Sequence, residues 1–414
     1  MEVVPESTDY VHLGAPPRSS WWSRRSIVGA TACVIVSSLL LVTAATAFFS
    51  QSSTINFKAA PAIPHTGEWC SGSGAKLFSK STLKSIAERT IYGLLRYDAT
   101  AGETRFEASD VIRVDDHFYV VCDSSWSILK ISDGLPLLSR DNQLIHHDAS
   151  FQPPSHQDSG FEAIIHDMSS FSHGAGHEDF YLVRESVETT TASGKSIYDA
   201  QIMKVHVTDS SYSVVETCHS EFTFEGDSKG FEGAASLRGS DGVLYILGLC
   251  EGNFCEETRG KEPGNGRVVI MAKELDDKAQ DGCIWKTKRV LKLPPTANFV
   301  DYSALAIHHS TQSVAITSQE NSQLWVGQLS GGSDGAFDPE AAEFSEGEVF
   351  DFPRAPATCE VQYCNIEGIH WVSGKKDEGT PQMLVAVSDK MKSKGRQDAA
   401  CQDKDQSIHL FTLP

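Results

Sequence analysis

A repeated phrase of an apolar residue followed by Glu-Gly constrains the fold of this chain more than any other feature. "KGFEGAASLRGSDGVLYILGLC" begins at Lys229, and "CNIEGIHWVSGKKDEGTPQMLVAVSDK" begins at Cys364. Each copy continues with a strand-like run, a turn and a second apolar strand that ends at an acidic residue. Such a phrase predicts a β-hairpin, and its repetition predicts a chain built from equivalent units.

Weaker copies extend the repeat along most of the chain. They begin with "EASDVIRVDD" at Glu107, "SGFEAIIHD" at Ser159 and "VDYSALAIHH" at Val300. We name the residue at the Glu position of each copy its marker residue. The five marker residues are Ser109, Glu162, Glu232, Ser303 and Glu367.

Further strands follow each hairpin, as in "RVVIMAKEL" and "CIWKTKRVLKL" of the third unit. Each unit holds four short strands, and the units repeat roughly every 50 to 70 residues. This pattern predicts an all-β fold of the β-propeller type. Five blades is the simplest count, and six stays open if residues 77–106 hold a degenerate blade. The last unit lacks a fourth strand, so residues 83–98 are predicted to supply it and close the ring.

The N-terminal region contains an uncharged apolar run, residues 27–49. About 20 apolar residues suffice to span a bilayer. Arg24 and Arg25 precede the run and Lys58 is the next basic residue, so the positive-inside rule places the N-terminus in the cytosol. A cleaved signal peptide, with a site near Ala47, is the alternative.

This interpretation gives a single-pass type II membrane protein whose propeller lies in the secretory-pathway lumen or outside the cell. The predicted divisions are a cytosolic tail (1–26), a transmembrane signal anchor (27–49), a stalk (50–76) and a β-propeller (77–414).

Cysteine usage agrees with an oxidising compartment. All ten cysteines except Cys33 lie beyond the apolar run, and a lumenal location would pair most of them. Their spacing predicts two local disulfides, Cys250–Cys255 and Cys359–Cys364.

The charge of the chain bears on its partners. The formal net charge is −20, and there is no block of Lys and Arg, which argues against nucleic acid. The sequence has no H-E-x-x-H, P-loop or EF-hand motif. The histidines between residues 146 and 177 lie in polar, loop-like sequence and are interpreted as solvated side chains, with a metal-binding or pH-sensing role as the alternative.

The marker residues predict a metal site. In a propeller the first strand of each blade lines the central channel, so the markers should converge on one axis. Three carboxylates there would repel one another unless a cation or protons intervened. Calcium takes six to eight oxygen ligands, which suits a set of Glu and Ser without His or Cys. The alternative is that Glu-Gly forms a turn at the start of the strand, in which the Glu side chain accepts hydrogen bonds from backbone N–H groups.

A second tier of acidic residues ends the second strand of each unit. Because that strand runs back antiparallel to the first, its end should lie on the same face as the markers. Two acidic tiers would favour cations or cation-bridged anionic substrates, although single acidic turns are common at strand ends. The second-tier residues are Asp123, Glu185, Glu251, Glu320 and Asp389.

Two segments carry a family resemblance. "EASDVIRVDDHFYVVCDSSWSILKI" resembles the first-blade segment of the calcium-activated nucleotidases, the apyrase family of membrane-anchored five-bladed propellers, and "NIEGIHWV" resembles their final Glu-Gly-Ile segment. The same phrases are similar to those of phytase-like esterase propellers. The resemblance implies one calcium ion, held here by Ser109, Glu162, Glu232, Ser303 and Glu367.

The implied activity is metal-assisted hydrolysis of a phosphoanhydride or phosphoester. Asp123 and Glu185 are the candidates to position or deprotonate the attacking water. A phosphate-containing small molecule would be the substrate, and the lipid bilayer would hold the anchor.

The sequence departs from the family at two places. The family's Asp-Asp-Arg-Thr-Gly is "CDSSW" here, which removes a basic contact to phosphate, and its Ala-Asp-Leu-Asp is "LLRYD", which leaves only Asp98. These departures favour the alternative function, a non-catalytic propeller that binds a protein or glycan around a structural ion.

Overall fold

The computed structural model of the chain describes residues 82–414 with several gaps. The gaps are residues 97–104, 155–156, 168–176, 191–193, 227–228, 252–254, 256–262, 278, 280, 332–336, 356–357, 373–381 and 391–398. The predicted tail, anchor and stalk lie outside the described residues. In the part of the chain that is described, no helix is both long and apolar enough to cross a membrane.

The described fold is all-β and propeller-like. Antiparallel pairing divides the strands into groups, most of them of four strands, that follow the predicted units. The first strand of the chain is β1 (Lys84–Thr90), which is followed by a single helical turn, α1 (Ile91–Leu94). The first group contains β2 (Ala108–Val114), β3 (His117–Cys122), β4 (Ser125–Ser132) and β5 (Gln143–His147). The second contains β6 (Phe161–His166), β7 (Glu178–Thr190), β8 (Ser196–Val207) and β9 (Ser211–Phe224).

The remaining groups follow the same pattern. The third contains β10 (Phe231–Arg238), β11 (Leu244–Cys250), β12 (Arg267–Leu275) and β13 (Cys283–Lys292). The fourth contains β14 (Ala304–Ile307), β15 (Ser313–Ser318), β16 (Gln323–Ser330), the short β17 (Glu343–Phe344) and β18 (Glu348–Asp351), the last two both pairing with β16. The fifth contains β19 (Ile366–Val372), β20 (Met383–Ser388) and β21 (Ser407–Thr412).

The first strand of the chain completes the last group. β1 pairs antiparallel with β21, in a register that runs from Lys84 opposite Thr412 to Thr90 opposite Ser407. The prediction that residues 83–98 supply the missing strand is therefore confirmed. Pairing the two ends of a repeat array in one sheet removes two open edges that could otherwise pair with other chains.

The groups are arranged in a ring. The first strands contact one another in the order β2, β6, β10, β14, β19 and back to β2. Five hydrophobic cores fill the spaces between consecutive groups. Trp285 belongs to the core between the second and third groups, and Trp325 to the core between the third and fourth. Because inner strands are buried on both faces, they are almost continuously apolar, as in "LYILGL" of β11.

The outer edges of three groups are also joined. β9 pairs in parallel with β5 on one side and with β13 on the other, which merges these groups into one 12-stranded sheet. A disulfide between Cys218 of β9 and Cys283 of β13, with 5.4 Å between their Cα atoms, links the same two edges. The second and third groups are thus connected covalently.

The disulfides only partly follow the spacing of the cysteines. The predicted Cys250–Cys255 bond is present. The predicted Cys359–Cys364 bond is wrong, since Cys364 is bonded to Cys401, and Cys359 is bonded in another disulfide. Cys401 lies in a 3-10 helix (Ala399–Asp403) before β21, and its Cα is 5.7 Å from that of Cys364. The chain path between β20 and β21, which spacing does not reveal, brings the two residues together.

Candidate active and metal site at the acidic end of the ring

The marker residues lie at irregularities of the first strands. In four groups the pairing between the first and second strands shifts register at the marker, a β-bulge. A bulge bends its strand and re-aims a side chain. In the fourth group Ser303 lies just before β14 and donates its N–H to the Thr317 carbonyl at 3.0 Å. The bulge markers are Ser109, Glu162, Glu232 and Glu367.

The glycine that follows two of the markers allows the first strands to approach closely. A Cβ atom on Gly233 would lie 2.7 Å from the backbone nitrogen of Leu305 in the next group. One on Gly368 would lie 2.5 Å from the Cα of Asp110. The Glu-Gly pair therefore combines a re-aimed carboxylate with a close contact between neighbouring strands.

The second-tier residues lie at the same end of the hairpins as the markers, as predicted. In four groups the backbone N–H of the second-tier residue donates to the carbonyl two positions before the marker. The bonds run from Asp123 to Glu107 (3.0 Å), Glu185 to Gly160 (2.7 Å), Glu251 to Gly230 (2.9 Å) and Asp389 to Asn365 (2.9 Å). In the fourth group the Asp301 carboxylate accepts the N–H of Glu320 instead, at 3.2 Å.

Carboxylates of the two tiers form one cluster rather than two separate rings. Oxygen atoms of Glu185, Glu232 and Glu251 lie within 4.8 Å of one another. Glu162 is in electrostatic contact with Glu232, Glu185, Glu367 and Asp123. We call this set the acidic cluster: Asp123, Glu162, Glu185, Glu232, Glu251 and Glu367. The side chain of Glu320 is exposed.

Burial and mutual repulsion act on the protonation of the cluster. Glu162 is buried, and burial followed by repulsion from Glu232, Glu185 and Glu367 raises its pKa well above the ordinary value. Burial, with the charges of Asp389 and Glu107, raises the pKa of Asp123 to about 7. The Oδ1 atom of Asp123 is buried and has no hydrogen-bond partner among the described residues. A cation would relieve the repulsion and satisfy such an atom, so the donor set fits a hard metal ion.

The two marker serines are hydrogen-bonded within the ring. Ser109 Oγ accepts the N–H of Asp123 at 3.1 Å and donates to the Glu107 carbonyl at 3.4 Å. Ser303 Oγ donates to the Ile366 carbonyl at 2.8 Å and lies 3.0 Å from Thr317 Oγ1. A hydroxyl oxygen has two acceptor positions, so each serine retains one for a further partner.

Basic side chains that the sequence did not reveal lie beside the cluster. Arg105 forms an ion pair with Glu107, and its Nη2 is 3.9 Å from Asp158 Oδ2. Lys390 Nζ is 3.8 Å from Glu107 Oε1. Arg105 stands four positions before the marker Ser109, and Lys390 directly follows the second-tier residue Asp389. Their closeness in sequence to the repeated positions could have indicated that both lie near the cluster.

Asp110 is a further residue that the sequence did not single out. Its buried carboxylate accepts the N–H of Val111 at 2.8 Å and that of Ile164 at 2.9 Å, which joins β2 to β6. Burial raises its pKa well above the ordinary value. It lines a cavity of about 80 Å³ on the axis, formed by first strands of all the groups. Since liquid water occupies about 30 Å³ per molecule, this space suits an ion or a few waters.

Comparisons with known proteins do not assign a family. No family model matches the sequence, and no curated protein matches it. Among solved structures, the chain is similar to the PQQ-bound aldose sugar dehydrogenase of Streptomyces coelicolor, with a TM-score of 0.41 and 12% identity over 81% of this chain and 99% of that one. It is also similar to the glutaminyl cyclase of Myxococcus xanthus, with a TM-score of 0.37 and 8% identity over 80% and 97%. Similarities at this level do not identify an activity.

Proposed function

We propose that the chain is a membrane-anchored, five-bladed β-propeller whose acidic cluster binds a calcium-type ion and hydrolyses a phosphoanhydride or phosphoester. The observation that carries this proposal is the convergence of Glu162 and Glu185 of the second group with Glu232 of the third and Glu367 of the fifth, which together with burial raises the pKa of Glu162. If each Glu served only to accept hydrogen bonds in its own turn, there would be no reason for carboxylates from several strands to meet and repel one another. The apolar run at residues 27–49 is the basis for the anchor.

The acidic cluster would supply most of the oxygen ligands. Glu162, Glu232 and Glu367 are the proposed central ligands, with Ser109 and Ser303 contributing their remaining lone pairs. Glu185 and Glu251 lie within reach of Glu232, so they would hold the same ion or orient its ligands. A bound calcium ion would neutralise phosphate charge and polarise the phosphorus centre.

Residues at the rim would bind the substrate. The Arg105 guanidinium and the Lys390 ammonium would offset the negative charge of the cluster and orient phosphate oxygens. The axial cavity of about 80 Å³ is far smaller than typical ligand pockets of about 300–1,000 Å³. The substrate would therefore bind at the acidic face of the ring, outside the cavity.

Asp123 is the proposed general base. Its Oδ1 atom is buried and has no hydrogen-bond partner among the described residues, so this carboxylate could accept a proton from the attacking water and return it to the leaving group. Glu185, predicted from the sequence as a second catalytic residue, shares a cluster with Glu232, and its proposed role is to position the water or the ion.

An assay of the purified full chain tests this function. We expect release of phosphate from nucleoside diphosphates or phosphate monoesters in the presence of calcium and none after chelation. Asp123→Asn should lower kcat by about 10²–10⁴-fold, the usual contribution of acid–base catalysis, whereas Glu320→Gln should not. Equal rates with and without calcium, or in Asp123→Asn and the unchanged chain, would reject the catalytic assignment.

A non-catalytic propeller with a structural ion is the second candidate. The absence of a basic residue in "CDSSW" favours it. Calcium-dependent stability without phosphate release from any of these substrates would support this alternative. The anchor is tested separately, since protease added to intact microsomes should remove only the first 20 or so residues, the length left outside one membrane span.

A further inference from the structure

Two histidines and an aspartate meet on one face of the hairpin formed by β7 and β8. His177 precedes Asp179 by two positions, and Asp179 lies directly opposite His206 in the pairing of these strands. Residues two apart in an extended segment share a face, and directly opposed residues lie side by side. The local geometry of one hairpin therefore brings the three side chains together.

Their ligand atoms are close enough to share one ion. One atom from each of the three side chains lies within 4.8 Å of the others. His206 Nδ1 is 2.5 Å and His177 Nε2 is 3.4 Å from the same oxygen, Oδ1 of Asp179. The two imidazole rings lie with 4.1 Å between their centroids.

Burial differs between the carboxylate and the imidazoles in a way that suits a binding site. The Asp179 side chain is 6% exposed, whereas those of His177 and His206 are 29% and 34% exposed. The carboxylate is thus held in the protein, and an ion can reach the two rings from solvent.

Lys204 fixes the carboxylate without using the oxygen that faces the histidines. Its Nζ lies 2.9 Å from Oδ2 of Asp179 and 3.9 Å from Oδ2 of Asp167, which also pairs with Arg238. Burial alone would raise the pKa of Asp179, but the bonds from Lys204 and His206 outweigh it and lower that pKa. Carboxylate ligands of metals are commonly held by an outer hydrogen bond of this kind.

We propose that His177, Asp179 and His206 form a binding site for a zinc-type divalent ion, separate from the acidic cluster. Imidazole nitrogen is a preferred ligand of zinc, nickel and copper, and calcium disfavours it. Two histidines and one carboxylate would leave a fourth position for water. The ion would clamp the start of β7 to the end of β8.

This site and the acidic cluster lie at opposite ends of the hairpin formed by β6 and β7. The pairing runs from Phe161 opposite Arg184 at the acidic end to His166 opposite Phe180 at the other. With a rise of about 3.4 Å per residue, Asp179 lies about 20 Å from Glu185 along β7. The two sites can therefore be loaded and disrupted independently.

Metal titration of the full chain, free of any polyhistidine tag, tests the proposal. After chelation and dialysis, zinc binding is followed by calorimetry, and cobalt binding by its visible absorption, whose intensity reports the coordination geometry. We expect one zinc equivalent at this site, competed by cobalt or nickel but not by millimolar calcium. His177→Asn and His206→Asn should each weaken it at least about tenfold.

The matched control is His219→Asn. His219 Nδ1 also lies 2.5 Å from an aspartate, Asp199, but is not part of the His177 group, so its loss should leave zinc affinity unchanged. Circular dichroism and the metal-free Tm show whether each variant folds, and His177→Asn removes only the longer of the two contacts to Asp179. No zinc binding by the unchanged chain at up to about 100 μM would overturn the proposal, because imidazole sites bind zinc strongly. The proposal would also be overturned if zinc bound equally well to His177→Asn and His206→Asn, or if zinc binding were lost in Glu232→Gln instead.

Discussion

Glu88 of β1 lies directly opposite His409 of β21, with 3.6 Å between Glu88 Oε2 and His409 Nδ1. The same carboxylate accepts a hydrogen bond of 2.9 Å from the Tyr363 hydroxyl and forms an ion pair with Lys404. The two strands that close the ring come from the two ends of the described chain. Glu88 therefore connects the closing strand to His409 of β21 and to Tyr363 and Lys404, which lie in the segments before β19 and β21.

Glu88→Gln should destabilise the ring and change its response to acid. His409 and then Lys404 lower the pKa of Glu88 to about 2, and burial opposes them. A lowered acid pKa stabilises the fold above the ordinary value of 4.5, and this stabilisation is lost as the pH falls from there towards 2. Urea unfolding should give a loss of about 1.5–3 kcal/mol at pH 7, the range for hydrogen bonds to a charged group.

The difference between Glu88→Gln and the unchanged chain should shrink below pH 4. Glu348→Gln provides the control, because Glu348 is an exposed residue on the outer strand β18. A constant difference between pH 7 and pH 3, or an equal loss in the control, would contradict the assignment.

Calcium should stabilise the chain through Glu232. An ion that binds only the folded state adds about 2.7 kcal/mol at 100 times its dissociation constant. Chelation should lower Tm and calcium should restore it, and Glu232→Gln should remove most of that increment. Glu251→Gln should also reduce it, since Glu251 lies in the cluster, whereas Glu320→Gln should not. A Tm that is unchanged between micromolar and millimolar calcium would mean that the cluster holds no such ion.

The calcium effect should increase with pH. Burial and neighbouring carboxylates raise the pKa of Glu162, so the folded chain without metal binds more protons than the unfolded chain above pH 4.5. Its stability should therefore fall as the pH rises. Tm in chelator should decrease from pH 5 to pH 8, and the increment from calcium should be larger at pH 8. A metal-free Tm that rises over this range would disagree with the raised pKa.

Loss of the Cys218–Cys283 disulfide should weaken the join between the second and third groups. This bond closes a sequence separation of 65 residues, and such cross-links typically contribute about 2–4 kcal/mol. Replacing both cysteines by serine should lower the free energy of unfolding by this amount. The Cys250–Cys255 bond closes a separation of only 5 residues, so replacing both of these cysteines should lower the free energy of unfolding by less.

A non-reducing peptide map should also recover Cys364 linked to Cys401.

The fold was largely accessible from the sequence, because its information is local and repeated. Alternating turns and apolar runs recur in every unit, and strands such as Arg267–Leu275 match the predicted segment "RVVIMAKEL". The closing strand was also foreseen, since the last unit lacked one. By contrast, the Cys364–Cys401 bond depends on the path of a connection between strands, which the spacing of cysteines does not encode.

The sequence by itself determined which residues begin the inner strands, and hence that Glu162, Glu232 and Glu367 face one end of the ring. Only the tertiary structure decided how the tiers combine: Glu185 and Glu251 meet Glu232 because bulges re-aim side chains between neighbouring groups. It also decided that Arg105 lies beside the cluster and that His177 and His206 meet at Asp179. Repeat spacing fixes a residue's position along a strand, whereas contacts across strands depend on register, and register is set by packing of the whole ring.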